Sequence, residues 1–134
     1  MKKINVILSL CAIIIGLCAC GGNVSEVKIE PYQSDMYEAA DIESAIEVTM
    51  KYFRSQFPGC TLTSITYAGD ESSRAHADWA ERNQADEVIV LTSSFDVDSS
   101  GGDGSLSPNS TYDNWNWILV RNNGGMWRHV DHGY

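Results

Sequence analysis

Basic side chains are scarce in this 134-residue chain. Nine lysines and arginines stand against eighteen acidic residues, for a formal net charge of −9. Lys2 and Lys3 open the chain, and every acidic residue lies beyond position 20, so the part after residue 19 carries about −11. No Lys/Arg cluster interrupts that acidity, which argues against nucleic acid or anionic headgroups as charge-selected partners of the folded part. Cysteine is scarce too: Cys11, Cys18 and Cys20 crowd the N-terminus and only Cys60 follows. Long apolar runs are missing after the first twenty residues, and there is no internal repeat. There are only three prolines, at 31, 58 and 108.

The N-terminus supplies what the rest lacks. Lys2-Lys3 is a short positive region, and an apolar run from Val6 to Leu17 follows, broken only by Ser9. Twelve residues suit a signal peptide and fall short of the roughly 20 needed to span a bilayer. The run ends in Leu17-Cys18-Ala19-Cys20, an aliphatic residue, two small residues and a cysteine. That pattern predicts cleavage after Ala19 and transfer of a diacylglycerol to the Cys20 thiol as a thioether, with two acyl chains holding the protein on the membrane. The expected location is the outer face of the cytoplasmic membrane. Cys60 is then the one cysteine left, which excludes an intramolecular disulfide and leaves stability to the core.

Three segments follow from this reading: residues 1–19 as signal peptide, 20–40 as lipidated cysteine and flexible tether, and 41–134 as one domain. A flexible 20-residue tether would span roughly 25 Å. Asp41 is the expected N-cap of a long helix, whose stripe of Ile42, Ala45, Ile46, Thr49, Met50, Phe53 and Phe57 recurs at helical spacing. Pro58-Gly59 ends it. Residues 60–68 predict a strand, 72–83 a short helix capped by Ser73, and 87–97 a long strand apolar on both faces at its start. Residues 99–111 form a polar, Gly-rich loop. Residues 114–122 and 126–134 are the last two strands, joined by a turn at Asn123-Gly124. The sum is an α+β fold: a long helix on a curled antiparallel sheet of about four strands, with a short helix after the first strand, in a cystatin-like layout.

Two-residue hairpin geometry places Ile118 opposite His129, Val120 opposite Trp127 and Asn116 opposite Asp131. It puts Trp115 and Trp117 on one face and Trp127 on the other. Since the helix covers one face, the second needs loops, a second chain or a ligand.

The segments Asp78-Trp79-Ala80-Glu81, Phe95 to Leu106, Trp117 to Gly125 and His129-Val130-Asp131-His132-Gly133-Tyr134 resemble small uncharacterised lipoproteins of Gram-positive bacteria. Those proteins carry a domain of unknown function in the nuclear transport factor 2-like, cystatin-like group. The resemblance covers about residues 41–134. It implies the fold and the anchor and brings no activity with it.

Three sets of residues carry candidate chemistry. Asp96, Asp98 and Ser100, with Gly101 and a further carboxylate at Asp103, resemble the first half of a calcium loop. Position 12 is Ser107 rather than a bidentate Glu, so weak Ca²⁺ binding or a plain acidic turn are the alternatives. Otherwise no cofactor is indicated. His129 and Asp131 share a strand face by alternation and are candidates for a carboxylate-oriented base, with His132 pointing away. Trp115, Trp117 and Trp127 are core residues or the wall of a ligand or interface site. Three functions stay open: a non-catalytic module binding a protein or small molecule, a small enzyme built on His129/Asp131, and a structural domain that self-associates as a homodimer.

Overall fold

The computed structural model describes residues 21–134. The signal peptide and Cys20 expected from the sequence lie outside the described residues. The fold is α+β. Along the chain come β1 (Lys28–Ile29), α1 (Ala39–Gln56), β2 (Cys60–Tyr67), α2 (Asp70–Ala75), α3 (Asp78–Arg82), β3 (Glu87–Val97), β4 (Thr111–Arg121) and β5 (Arg128–Gly133). The sheet order is β1-β2-β3-β4-β5; β1 lies parallel to β2 and the other pairs are antiparallel. Among the described residues the sheet is therefore five-stranded, mixed and uncurled, where a curled antiparallel sheet of about four strands is expected from the sequence.

The extra strand comes from residues expected to be a loose tether. The Gly22 amide donates to the Arg54 carbonyl at 3.0 Å, the Asn23 amide to the Cys60 carbonyl at 2.9 Å, and the Leu62 amide to the Asn23 carbonyl at 2.8 Å. Lys28 and Ile29 then pair with Ser64 and Ile65. Farther on, Asp70 accepts the Ser34 hydroxyl at 2.6 Å and the Asp35 amide at 2.8 Å, and the Tyr37 hydroxyl donates to the Val88 carbonyl at 2.6 Å. Val24, Val27 and Tyr32 pack on the core. Composition suggests a linker, but the free edge of β2 offers backbone partners that this segment satisfies.

Helix α1 starts at Ala39, two residues before the expected cap. Glu38 is the N-cap and Asp41 is the third helical residue, its Oδ2 accepting the Glu38 amide at 3.1 Å. Ile42, Ala45, Ile46, Thr49 and Phe53 form its buried face. They meet Leu62, Ile65, Ile89, Leu91, Phe95, Trp117 and Leu119 from the sheet. Val88, Val90, Ile118 and Val120 point to the opposite face, where Ala80 and Trp79 of α3, with Ala68, Ala85 and Val130, cover them. The second face thus finds its cover within the chain. The single short helix expected over 72–83 is split into α2 and α3; Ser73 lies inside α2, fully buried against the Tyr67 hydroxyl at 3.2 Å, instead of capping it.

Each antiparallel ladder contains one extra residue. The shifts fall between Leu62 and Ser64 in β2, opposite Ser93/Phe95 in β4, and opposite Ile118/Leu119 in β5. A β-bulge breaks the period-2 alternation, so residues three apart return to one face. Leu62 and Ile65, Tyr112 and Trp115, and His129 and His132 are the three pairs so produced, all on the α1 side. The hairpin differs for a related reason. Asn123 and Gly124 have positive φ, as a tight turn requires. Residues 125–127 nonetheless leave the ladder, and Trp127 buries its ring, donating from Nε1 to the Asp41 carbonyl at 3.0 Å. The observed partners are Leu119 with His129, Ile118 with Asp131 and Asn116 with Gly133.

Candidate functional site

The bulges aim three aromatic side chains toward the C-terminal end of α1. Tyr52, on the helix, stacks on His129 with ring centroids 4.0 Å apart. His132 lies beside it, its Nδ1 3.2 Å from Nε2 of His129, and is stacked on Trp115 at 5.8 Å. Phe57 closes the group against Trp115, Trp117 and His132. Between this wall and the 98–110 loop is a cavity of about 210 Å³, lined by Tyr52, Gln56, Phe57, Trp115 and His132 on one side and Gly102, Asp103, Ser105 and Leu106 on the other. The loop is held in shape by the Asn109 amide on the Asp98 carbonyl at 2.9 Å and the Asp98 amide on the Gly59 carbonyl at 2.9 Å.

Trp115 carries the unsatisfied group of the site. Its indole Nε1 is buried without a hydrogen-bond partner among the described residues. A buried donor left unpaired costs about 1–3 kcal/mol; Nε1 has almost no surface open to a water-sized probe, so it faces packed atoms while the ring face lines the cavity. Trp117 and Trp127 differ. Trp117 is fully buried and donates to Ser93 Oγ at 2.8 Å, and Trp127 is satisfied by the Asp41 carbonyl. Of the three tryptophans singled out in the sequence, Trp115 lines the cavity while the other two are core.

The expected His129/Asp131 pair does not come together as a dyad. Val130 is the extra residue of the β5 bulge, so Asp131 turns to the face of Ile118, its ladder partner, while His129 and His132 share the helix side. Asp131 instead lines a small cleft with His76 and Asn116. Burial, and then the neighbouring imidazole, push the His129 pKa from 6.5 down to about 4, against the pull of Asp131. Burial lowers that of His132 as well. At neutral pH the two rings are therefore uncharged, one donating its N–H to the other.

The acidic loop residues serve local structure. Asp96, on β3, accepts the Thr111 hydroxyl at 2.7 Å. Asp98 accepts the Ser100 amide at 2.9 Å and also its hydroxyl. Asp103 accepts the Ser105 amide at 3.0 Å. The Ser100 and Ser105 hydroxyls, and then their amides in these Asx turns, hold the Asp98 and Asp103 carboxyls below the usual range. Among the described residues, no three His, Cys, Asp or Glu side chains converge as a metal site. Ser100 points to Asp98 rather than toward Asp96 and Asp103. No helix of the described residues is long and apolar enough to cross a membrane.

At the opposite end sits a cluster that the sequence did not reveal. Arg121, only 7% exposed, donates from Nε to Glu87 at 2.7 Å and from Nη1 to Asp41 at 2.9 Å. Its guanidinium lies 4.2 Å from the Trp127 ring centroid. Asp41 and Glu87 thus tie the helix start and β3 to β4. The missed lining residues, Tyr52 and Gln56, lie one ridge beside the predicted stripe, at i+3 and i+7 from Thr49. A stripe widened by one position would have included them.

No family model, no curated protein and no solved structure matches this chain.

Proposed function

We propose that the chain is a lipid-anchored, extracytoplasmic binding module whose cavity takes one ring-sized group. The observation that carries the binding half is a cavity of about 210 Å³ walled by the rings of Tyr52, Phe57, Trp115 and His132. An engineered cavity of about 150 Å³ admits benzene, whereas drug-sized ligands occupy roughly 300–1,000 Å³. A single ring fits, either as a free small molecule or as the anchoring side chain of a partner protein. The aromatic wall supplies stacking. A non-catalytic role is favoured by the half-buried, neutral histidine pair, which has no carboxylate to orient it as a base.

The anchor half rests on Lys2-Lys3, the apolar run and Leu17-Cys18-Ala19-Cys20. It puts the domain on the outer face of the cytoplasmic membrane. For the fold in finer terms we propose the cystatin-like, nuclear transport factor 2-like group. In support, one long helix precedes the meander β2–β5 and lies across one of its faces.

Mass spectrometry of membrane-extracted protein tests the anchor: the mature chain should begin at Cys20 with a diacylglycerol adduct, and Cys20→Ala should lose it. Calorimetry of the soluble Cys20→Ala form with phenol tests the cavity: saturable heat is expected in the parent and a loss of it in Trp115→Phe. Equal heats in both would refute the assignment of the site.

A further inference from the structure

We propose that the end of the domain bearing the α1 C-terminus, the start of β2 and the 98–110 loop rests directly on the phospholipid surface, because no tether separates Cys20 from the folded domain. The inference depends on the lipoprotein reading above and adds an orientation to it.

The case starts at Gly21. A Cβ there would lie 2.1 Å from the Arg54 carbonyl oxygen, so this glycine backbone is pressed against the helix end. At Gly22 a Cβ would lie 2.3 Å from the Phe53 carbonyl oxygen. The Gly22 amide caps the Arg54 carbonyl, and Asn23 makes a parallel bridge with Thr61. These contacts engage the chain from the first described residue. Consecutive Cα atoms are about 3.8 Å apart, so a thioether on Cys20 starts within one residue of the folded surface. A free 20-residue arm would have allowed roughly 25 Å and any orientation.

Topology defines which end this is. Strand β2 starts at Cys60 beside Asn23, β3 ends there at Val97, β4 starts there at Thr111, and β5 runs toward it, stopping opposite Asn116. The candidate cavity, with Gln56, Phe57 and Leu106 in its wall, belongs to the same end. The turn at Asn123 lies at the other, separated by the 11 residues of β4, or roughly 35 Å of strand. The cavity therefore works next to the headgroup layer. Charge does not decide the arrangement: Lys51 and Arg54 on the last turns of α1 oppose Asp98 and Asp103 on the loop. Near an anionic bilayer these charges act with opposite signs. The short covalent link decides, so the orientation is insensitive to salt.

The test uses the full lipidated chain in phosphatidylcholine vesicles containing nitroxide-headgroup lipid. Single cysteines at Gln56→Cys, Ser105→Cys or Asn123→Cys carry a fluorophore; Cys20 is blocked by its lipid and buried Cys60 stays unlabelled, which the parent chain controls. Quenching several-fold greater at 56 and 105 than at 123 is expected. Inserting a flexible Gly/Ser segment of about ten residues between Cys20 and Gly21, spanning roughly 17 Å, should erase the difference. Equal quenching at the three sites in protein whose lipid adduct is verified by mass spectrometry overturns the orientation and leaves the anchor standing. Absence of the adduct overturns the lipoprotein reading, and this inference with it.

Discussion

Replacing His129 by glutamine should flatten the acid sensitivity of folding between pH 6.5 and about 4. The His129 ring is inserted between Tyr52 and Trp117, and burial lowers its pKa from 6.5 to about 4. The folded state is then proton-poor relative to the unfolded chain throughout that window. Stability contributed by the neutral ring is fully present above pH 6.5 and is lost as pH falls toward the folded pKa. For one such site the loss between pH 7 and 4.5 is about 2.4 kcal/mol from the linkage relation, and partial exposure of the ring brings it nearer ~1.5 kcal/mol. His132, lowered in the same direction, adds to the slope. The four aspartates with lowered pKa values, Asp41, Asp70, Asp98 and Asp103, lose their contribution mainly as pH falls below about 3.8 and leave most of this window clear. Urea unfolding followed by tryptophan fluorescence at pH 7.0, 6.0, 5.0 and 4.5 gives the slope, and subtracting the variant's curve removes the background from the net charge. The readout is the pH dependence of stability, whatever the variant's absolute stability. A variant whose stability falls in parallel with the parent would refute the half-buried neutral pair.

Other perturbations probe the remaining framework. Arg121→Met strands Glu87 and Asp41; both carboxylates are about one-third exposed, so rehydration limits the cost to about 2–3 kcal/mol, measured by urea midpoint. Gly22→Ala places a methyl 2.3 Å from the Phe53 carbonyl and should destabilise by about 1–3 kcal/mol while increasing proteolysis within residues 21–36. Cys60, buried and with its thiol pKa pushed up to about 11 by burial, should resist a thiol-disulfide reagent in the native state and react at once in urea. Rapid native labelling would contradict its position under the loop.

Much of the fold is legible in periodicity, because the helix stripe and the long strands are strong repeating signals. Helical spacing marks Ile42, Ala45, Ile46, Thr49, Met50, Phe53 and Phe57 as one face; five of them are the buried residues of α1, while Met50 is half-buried and Phe57 is buried at the C-cap, just past the helix. Alternation sets Val88 and Val90 opposite Ile89 and Leu91, as found. Insertions of one residue leave no such signal. Period-2 reasoning sends His132 away from His129, and only the extra Val130 brings them together. Composition misleads over residues 21–40, where Gly, Ser and Asn suggest slack; Gly21 and Gly22 are small because backbone presses on backbone. Alternation also assigns Trp127 to a sheet face, but the energetic gain of burying its ring beside Arg121 and under Asp41 draws it out of the ladder. The site escapes sequence reading because its parts are distant along the chain: a helix end, a loop and two bulged strands.

The most direct test of the binding site is the indole N–H spectrum of the ¹⁵N-labelled soluble domain titrated with phenol. Four tryptophans give four resonances, and Trp115 should start at a shift typical of an unbonded N–H. Phenol should move Trp115 selectively, leaving Trp117 and Trp127, already bonded to Ser93 and Asp41, in place. An unmoved Trp115, or equal movement of all four, would contradict a ring-sized site at the cavity.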